Sequence, residues 1–509
     1  MSRGDRGNYA DVFIVGGGPA GAAAARLLAS WGWSTRVADR SDAMGAGRPS
    51  LAESLPPSTR KLLAFLDQLE IVDAAGFHPN HGNIARWAGE SRVTHTDVAG
   101  IHVSRAAFDR VLRESARASG AEILDAAVRR IEFLDPIRID YVTADGRPQT
   151  CEAQYVLDCS GRAGVVARRG LREPVASYRT LAIAAEWESD RWRADEQAHT
   201  IVESYEDGWA WSVPLSARRR QCTVMVDPRA VGRIGAPRTG ARQRIDAVYG
   251  REIAKARETA ARLTVARQTS APWACDASLY HASRAADGHA LLVGDAASFV
   301  EPLSAAGVKK ALASAWRAAV VTNTCLSTPT MAGAALDFYV RREREVDARC
   351  RRSSHAFFEE AAAAYADPFW SIRATCASVD AASPGEWNDA ELARNPEVRS
   401  AFDRLRKAPR VRLRPAPALR FEPAAAIEGR EVVMRDALLL PGDTMPLRFV
   451  GGVNLPMLVG LTRECHDMPA LIAAYRAHVG PLPVQGLLAG LSLLVARHAL
   501  ININEDAAQ

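Results

Sequence analysis

Residues 11–40 contain the feature that most restricts the fold of this chain. The stretch reads DVFIVGGGPAGAAAARLLASWGWSTRVADR, which predicts a β-strand, a glycine-rich turn, a helix and a second strand. In the G-x-G-x-x-G frame, Gly16 makes the tight turn, Gly18 lets the backbone approach a pyrophosphate, and Gly21 lets the helix pack closely on the strand. Ala20 begins the helix, whose N-terminal amides and dipole face the phosphates.

The second strand ends in an acidic residue at the position that such a turn requires. Asp39 follows Gly16 by 23 residues, where a carboxylate binds the ribose hydroxyls of adenosine, and Arg40 comes directly after it. A lone glycine motif is weak evidence, but here the strand, turn, helix and acid are in register. The sequence therefore predicts a dinucleotide-binding domain at the start of the chain.

The bulk properties favour an intracellular globular protein. The chain has 509 residues, enough for two or three domains, and its net charge of +5 is too small to suggest nucleic acid as a partner. Its eight cysteines are scattered, so we expect reduced thiols and no metal site. We expect a cytoplasmic protein without a membrane partner, because the N-terminus has no apolar signal region and no long apolar run occurs.

A second glycine and aspartate motif lies near residue 294. The stretch HALLVGDAASFVEPLSAAGVKKALASAW predicts a strand, a loop and a helix. It resembles the second flavin motif of the FAD monooxygenase superfamily, in which the aspartate binds the ribityl chain and the helix N-terminus faces the flavin pyrimidine. The resemblance implies FAD as cofactor and the cofactor-binding residues Gly294, Asp295, Pro302, Ala306, Gly307 and Val308.

Two further stretches resemble motifs of the same superfamily. GIHVSRAAFDRVLRESARASGA is similar to the helix that places an arginine, here Arg105, beside the cofactor. YVLDCSGRAGVVARR is similar to its strand-to-turn segment, with Asp158 and Gly161 at the cofactor. These motifs favour FAD over NAD.

Two tryptophans one residue apart indicate a branch of the superfamily. WAWSVP resembles the WxWxIP signature of flavin-dependent halogenases, which implies that Trp209, Trp211 and Pro214 lie beside the flavin. AESLPPSTRKLL resembles the glutamate turn of the same group, with Glu53 opposite the isoalloxazine. The alternatives are sheet packing for the tryptophans, which share one strand face, and helix capping for Glu53.

The chain departs from the halogenase pattern at two places. In that family a lysine about thirty residues after the glutamate captures hypochlorous acid, but residues 77–89, FHPNHGNIARWAG, contain no lysine. Tryptophan halogenases also read EPLES in the loop between the aspartate of the second flavin motif and the next helix, which we call the flavin loop. This chain reads EPLSA there, at residues 301–305, with Ser304 in place of the second glutamate.

We therefore predict a monooxygenase that hydroxylates an electron-rich, tryptophan-like or phenol-like ring by way of a flavin C4a-hydroperoxide. A halogenase and a flavin-dependent double-bond reductase are the alternatives. His78 and His81 are candidates for proton transfer, although histidines in such a loop are more often turn or surface residues. The predicted catalytic residues are Glu53, His78, His81, Trp209, Trp211, Pro214 and Ser304.

The predicted fold is α/β. It comprises a three-layer, Rossmann-like FAD-binding domain, an antiparallel β-sheet substrate domain, a helical region and a small C-terminal winged-helix-like module. The predicted boundaries are 1–170 and 280–325 for the FAD-binding domain, 171–279 for the substrate domain, 326–407 for the helical region, 408–423 for a linker and 424–509 for the module.

The expected partners follow from this chemistry. They are molecular oxygen, a flavin reductase or NAD(P)H as electron source, and an aromatic substrate that is either free or carried on a peptide or carrier protein. The C-terminal module faintly resembles peptide-recognition winged helices, so it either docks such a substrate or serves as a scaffold.

Overall fold

The computed structural model describes residues 8–40, 50–174, 178–193, 196–232, 240–377, 392, 395–407, 411–465, 467–480 and 484–503. The chain divides into two compact units, Met1–Ala381 and Ala382–Gln509. This division lies upstream of the linker predicted at 408–423 and cuts through the helical region predicted at 326–407.

The first unit contains two large sheets and ten α-helices among its described residues. Its strands are β1 (Tyr9–Val15), β2 (Thr35–Asp39), β3 (Ala52–Leu55), β4 (His78–Trp87), β5 (Glu90–Ser104), β6 (Glu122–Glu132), β7 (Ile137–Thr143), β8 (Pro148–Asp158), β9 (Arg172–Pro174), β10 (Leu181–Glu188), β11 (His199–Tyr205), β12 (Gly208–Ser216), β13 (Arg219–Val226), β14 (Arg267–Gln268), β15 (Trp273–Asp276), β16 (Tyr280–Ala282), β17 (Ala286–Asp287), β18 (Ala290–Leu292) and β19 (Ser298–Phe299). Its helices are α1 (Pro19–Ser30), α2 (Pro57–Phe65), α3 (Leu69–Ala74), α4 (Arg105–Ala118), α5 (Arg229–Gly232), α6 (Ala241–Lys255), α7 (Arg257–Leu263), α8 (Gly307–Ser327), α9 (Ala332–Ala364) and α10 (Pro368–Ala377).

The first sheet has the parallel core of a Rossmann-like fold. Strand β1 is parallel to both β2 and β8, β2 is parallel to β6, and β8 is parallel to β18. Val12, Phe13 and Ile14 are completely buried because the strand is covered on both faces. The predicted three-layer α/β fold is confirmed, with its first glycine turn between β1 and α1.

The second sheet contains the region predicted as the substrate domain. Its order is β14-β10-β13-β12-β11-β4-β5-β3, and β15 also pairs with β10. The pairing is antiparallel as predicted, except that β4 and β11 are parallel. Strands β3 to β5, residues 52–104, were expected in the FAD-binding domain but belong to this sheet, because the chain leaves the first sheet after β2 and returns at β6.

Helices α9 and α10 pack on the second sheet. Phe358 and Trp370 are buried in one cluster with Trp87 and Trp209, and the rings of Trp87 and Trp370 meet edge to face with centroids 5.5 Å apart. Because these aromatic contacts bury the inner faces of both helices, this part of the predicted helical region is integral to the first unit.

The second unit is a small winged-helix-like module with its own core. Its strands are β20 (Leu413–Pro415), β21 (Arg420–Glu428), β22 (Glu431–Leu439), β23 (Phe449–Val450), β24 (Val453–Asn454) and β25 (Leu500–Asn502). Its helices in the described residues are Pro396–Lys407, Leu455–Leu461, Met468–Val479 and Val484–Ala496. The three helical stretches predicted after the strand at 430–440 are present.

The described part of the segment predicted as a linker, residues 411–423, instead contributes side chains to this core. Val411 and Leu413 are buried in the same cluster as Leu405 and Tyr475, and β20 pairs with β25. The abundance of proline and arginine suggested a linker, but the apolar side chains of Val411 and Leu413 at its start are buried.

Among the described helices, none by itself combines the length and apolar character needed to cross a bilayer, although the bent pair Met468–Val479 and Val484–Ala496 meets both criteria together.

Candidate active site

A cavity of about 730 Å³ lies in the first unit, between the turns of the first sheet and one face of the second. It is lined at one end by the β1–α1 turn and the start of α8, and at the other by strands β4, β5, β11, β12 and β13. This volume falls in the range of sites for cofactors and small molecules. The cavity therefore joins the predicted cofactor and substrate regions.

The glycine turn has the geometry that a bound pyrophosphate requires. Gly16 has φ of +97°, and a Cβ there would lie 2.6 Å from the carbonyl oxygen of Cys159. A Cβ on Gly21 would lie 1.8 Å from the carbonyl oxygen of Gly16, so helix and strand touch. At Gly18 the nearest atoms, on Arg105 and Asp109, are 3.8 Å away, and Gly16, Gly18 and Ala20 line the cavity. The space beside Gly18 fits the close approach of a phosphate group.

Arg105 lies at the start of α4 and is fixed by two carboxylates. Its Nε donates to Asp109 Oδ1 at 2.9 Å, its Nη2 donates to Oδ2 at 3.1 Å, and its Nη1 is 3.5 Å from Glu53 Oε1. Burial alone would lower the pKa of the guanidinium, but Asp109 and Glu53 raise it above its ordinary value. Burial also raises the pKa of Glu53, against the effect of Arg105. A fixed cation thus faces the predicted phosphate and flavin positions.

The remaining predicted cofactor residues of the N-terminal half lie in different surroundings. Asp39 lines the cavity, and its carboxylate is 3.3 Å from Nη1 of Arg113. Gly161 also lines the cavity, but Arg40 and Asp158 do not. Asp158 is completely buried, and its carboxylate accepts hydrogen bonds from Ser160, Val166 and Ala167. These bonds hold the segment from Ser160 to Ala167, which contains Gly161, so the side chain predicted to contact the cofactor has a structural role instead.

The flavin loop places Asp295 and the N-terminus of α8 at the cavity. Asp295, Pro302, Gly307 and Val308 line it, while Gly294 lies beneath, with φ of +63°. Ala306 is the residue that precedes α8. Lys310 Nζ lies 3.4 Å from Asp295 Oδ1 and also donates to the carbonyl oxygen of Ser298, so it supports the loop from below.

The end of the cavity opposite the glycine turn is one face of the second sheet, and its side chains form three rows. The first row follows the strand register through Thr223, Trp211, Val202, Ala85 and Arg92. The second pairs Met225 with Trp209, against which Trp87 packs at a centroid distance of 6.3 Å. The third contains Thr200, Asn83 and Thr94. These residues line the cavity, so an aromatic wall lies beside a polar one.

Trp209 and Trp211 differ in their surroundings. Trp209 is 1% exposed and belongs to the aromatic core, so the packing interpretation applies to it in part. Trp211 is half-buried, and neither its Nε1 nor the buried Thr223 Oγ1 has a hydrogen-bond partner among the described residues. This pair supplies polar atoms that a substrate can satisfy.

A buried polar network lies behind the third row. Thr200 Oγ1 donates to Ser54 Oγ at 2.9 Å and lies 2.9 Å from Nε2 of His102. Burial holds the pKa of His102 well below its ordinary value, and the positive charge of Arg220 acts in the same direction. His102 is therefore neutral at neutral pH, and the network fixes the position of the cavity-lining Ser54 and Thr200.

The structure brings together only part of the predicted catalytic set. Glu53, Trp209 and Trp211 line the cavity. His78 Nε2 lies 2.7 Å from the carbonyl oxygen of Gln197, His81 is exposed on β4, and neither lines the cavity. Pro214 is buried within β12 and also lies outside the lining. The side chain of Ser304 lies outside the described residues.

Several cavity residues were not predicted from the sequence. Asn83 stands 30 residues after Glu53, and Thr200, Thr223 and Trp87 also line the cavity. The alternation of side chains along strands could have indicated them, but only once the pairing of β4, β11 and β13 was known.

None of the residues that line the described cavity is a lysine. Lys309 Nζ donates to Ser58, Lys255 pairs with Asp207, and Lys310 lies beneath the flavin loop. Lys61 and Lys407 are exposed on helices.

Comparisons with known proteins agree with the geometry. The tryptophan halogenase family matches residues 80–383. The flavin-dependent halogenase armH4 of Armillaria mellea is 27% identical over 355 residues, 61% of this chain and 64% of that protein. The tryptophan 2-halogenase of Chondromyces crocatus is 27% identical over 347 residues, 65% of this chain and 64% of that protein. The chain thus spans less than two thirds of the length of these relatives.

Two solved structures share the fold over nearly the whole chain. CmlS, a flavin-dependent halogenase, superposes with a TM-score of 0.75 at 22% identity and covers 97% of this chain and 96% of that one. QhpG, a peptidyl tryptophan dihydroxylase essential for tryptophylquinone cofactor biogenesis, superposes with a TM-score of 0.66 at 21% identity, covering 96% and 99%.

Proposed function

The chain belongs to the tryptophan halogenase family, and from that premise we propose that it is an FAD-dependent monooxygenase that hydroxylates an electron-rich aromatic ring. FAD is its cofactor, and when reduced it supplies an electrophilic oxygen atom from dioxygen. The protein has to exclude water, hold the ring and move protons.

The observation that carries the proposal is the lack of a lysine in the stretch 77–89 and along the described cavity wall, where the residue of that stretch with a terminal amide is Asn83. In the halogenases that the sequence resembles, a lysine about thirty residues after the glutamate captures hypochlorous acid. An amide side chain does not provide the nucleophilic amine that captures a hypohalous acid. The lack of any lysine among the described cavity residues supports hydroxylation over halogenation.

The substrate face suits a flat, electron-rich ring with a polar substituent. Trp87, Trp209 and Met225 offer apolar surface, and Trp211 Nε1 is a donor for an oxygen of the substrate. Glu53 accepts or returns a proton near the flavin position, since burial raises the pKa of its carboxyl.

The electron source in this proposal is a separate flavin reductase. Only one G-x-G-x-x-G turn follows a strand, so no second dinucleotide-binding domain is apparent in the sequence. Rapid bleaching of the bound flavin by NADH or NADPH alone would show that the chain takes hydride directly.

The test compares oxygen and halide incorporation. The FAD-loaded protein is supplied with reduced flavin by a reductase and with a panel of indoles, phenols and tryptophan-containing peptides, under ¹⁸O₂, with and without chloride and bromide. We expect products that carry one or two ¹⁸O atoms, at yields independent of halide. A halogenated product that requires halide would establish the halogenase alternative, and turnover without oxygen uptake would establish the reductase alternative.

A matched pair of variants tests the substrate face. Trp211→Phe keeps an aromatic ring but removes the indole N–H donor. It should lower kcat/KM about tenfold, since a buried polar group left without a partner costs about 1–3 kcal/mol. Trp87→Phe is the control, because its Nε1 already donates to the carbonyl oxygen of Phe357 at 3.0 Å. This variant should lower the melting temperature, and its kcat/KM should fall by less than that of Trp211→Phe.

A further inference from the structure

The hydroxyl group of Ser54 lies in the cavity wall with both of its lone pairs occupied. Asn80 Nδ2 and Thr200 Oγ1 each donate a hydrogen bond to Ser54 Oγ at 2.9 Å, and Ser54 is one of the residues that line the cavity. A hydroxyl group has two lone pairs and one hydrogen. The two donors therefore leave only the hydrogen of Ser54 for a further hydrogen bond.

The two groups that donate to Ser54 are themselves held in place. Asn80 Oδ1 accepts a hydrogen bond from the backbone N–H of Gly82 at 2.9 Å, so the other end of the amide, Nδ2, has to face Ser54. Thr200 Oγ1 lies 2.9 Å from Nε2 of His102, and both Asn80 and Thr200 are buried. The direction of the Ser54 hydroxyl is therefore set before a ligand binds.

The hydrogen of Ser54 has no acceptor among the residues that the structure describes, since the two bonds to Ser54 Oγ both come from donors. The indole N–H of Trp211 likewise lacks a partner within the described part of the chain. Buried polar groups of native proteins are nearly always paired. Both groups are donors, so a bound molecule completes these hydrogen bonds only if it carries acceptor atoms.

The two donors lie close enough to hold one ring. Trp211 on β12 pairs with Val202 on β11, and Thr200 stands two residues before Val202 on the same face of the sheet. Diagonal neighbours of this kind are roughly 7–8 Å apart. Since Thr200 contacts Ser54 directly, the Ser54 hydroxyl and the Trp211 indole border neighbouring parts of the cavity.

We propose that Ser54 is a substrate-binding residue whose oriented hydroxyl selects rings that carry an oxygen acceptor, so that phenols rather than indoles are the substrate class of this site. The inference rests on the proposed function for the reaction that follows binding. A phenol oxygen accepts the hydrogen of Ser54, whereas the N–H of an indole only donates and satisfies neither Ser54 nor Trp211. A site that hydrogen-bonds one group of its substrate rejects analogues that lack this group.

A hydrogen bond to the phenol oxygen also suits the proposed oxidation. An oxygen substituent makes the ring carbons next to it electron-rich, and these carbons react with an electrophilic oxygen atom. When Ser54 fixes the substituent, it also fixes which carbons face the rest of the cavity. Asn80 and Thr200 act through Ser54 and are positioning residues.

The experiment measures binding to the full-length, FAD-loaded protein without a reductant, from the change in flavin absorption at pH about 7, where a phenol is un-ionised. The probes are 2-naphthol, 2-methylnaphthalene and 3-methylindole. They are similar in size, but the first carries an acceptor oxygen, the second has no polar atom and the third has only a donor. We expect 2-naphthol to bind at least fivefold more tightly than 3-methylindole.

Variants of the protein test whether Ser54 makes this selection. Ser54→Ala should lower the ratio of the affinities for 2-naphthol and 2-methylnaphthalene at least tenfold, because the lost bond concerns only the naphthol. A merely structural effect would weaken both ligands equally and leave the ratio unchanged. Asn80→Ala, which frees one lone pair of Ser54 and lets the hydroxyl rotate, should lower the ratio at least threefold.

Ser58→Ala is the matched control. Ser58 follows Ser54 by four residues, but it is exposed on α2 and does not line the cavity. Its replacement should leave the ratio of the two affinities unchanged.

The contrary outcomes are distinct. An unchanged ratio in folded, FAD-loaded Ser54→Ala would overturn the role of Ser54. Tighter or equal binding of 3-methylindole to the unmodified protein, or no binding of 2-naphthol at about 1 mM, would overturn the preference for phenols, and neither measurement needs a variant. If the phenol binds as described but is halogenated when reduced flavin and halide are supplied, the proposed function fails while the role of Ser54 stands.

Discussion

Nη1 of Arg105 lies 3.5 Å from Oε1 of Glu53. The two residues come from different elements, Arg105 from the first turn of α4 and Glu53 from the edge strand β3. A fork of two hydrogen bonds to Asp109 holds the guanidinium in place. The contact therefore links the wall of the cofactor site to the substrate sheet.

Replacement of this guanidinium should weaken FAD binding. Arg105→Lys keeps the charge but cannot maintain the two-pronged bond to Asp109 together with the contact to Glu53, and Arg105→Ala removes both. We expect FAD to bind at least tenfold more weakly to the alanine variant, with lysine intermediate, in a flavin fluorescence titration. Arg110→Lys is the control. Arg110 lies on the same helix, but its side chain is exposed and its ion pair with Glu114 is long, at 3.9 Å. Equal affinities for all the proteins would contradict this role.

Two glycines of the first turn should fail in different ways when replaced by valine. A Cβ at Gly18 meets protein atoms only at 3.8 Å, so Gly18→Val should fold normally while it fills the phosphate space and abolishes FAD binding. A Cβ at Gly21 lies 1.8 Å from the carbonyl oxygen of Gly16, so Gly21→Val should unfold at a much lower temperature. Flavin content and thermal melting of the cofactor-free proteins separate the two effects, and full FAD occupancy in Gly18→Val would refute the assignment.

The buried carboxyl of Glu301 should make stability depend on pH. It is 2% exposed, and burial raises its pKa to about 7, against the effect of Arg373. As pH rises from about 4.5 towards 7, the unfolded chain loses this proton first, so the folded state binds more protons and stability falls by about 3 kcal/mol. Glu301→Gln should remove this part of the pH dependence in denaturant unfolding of the first unit. Glu70→Gln, at an exposed site, should leave it intact.

The local motifs were predictable because short-range geometry dictates them. The G-x-G-x-x-G frame identified Gly16, Gly18 and Gly21 because a tight turn between a strand and a helix needs them. Asp295 was identified by the resemblance of its stretch to the second flavin motif. Asp158 shows the limit of such motifs. The resemblance of its stretch to a superfamily motif implied a cofactor contact, but its carboxylate accepts hydrogen bonds from the backbone amides of Val166 and Ala167.

The substrate face could not be predicted because long-range pairing determines it. Asn83 is more than a hundred residues away from Thr200 and Thr223 in the sequence. The three residues share one sheet face only because β4 is parallel to β11 while β12 and β13 form a hairpin. His78 and His81 were plausible candidates for proton transfer, but neither lines the cavity. Local composition does not contain this information.

The position of the second unit's boundary gives a truncation test of its role. A chain that ends at residue 423 would keep the helix Pro396–Lys407 and β20 but lose their partners, which exposes Val398, Leu405 and Leu413. It should aggregate for that reason alone. A chain that ends at Ala381 follows the division between the units, and we expect it to stay soluble and to bind FAD with unchanged affinity. If the second unit docks a carried substrate, this shorter chain should also lose at least tenfold in kcat/KM on a peptide while it retains activity on a small aromatic molecule. Unchanged efficiency on both substrates would show that the second unit is a scaffold.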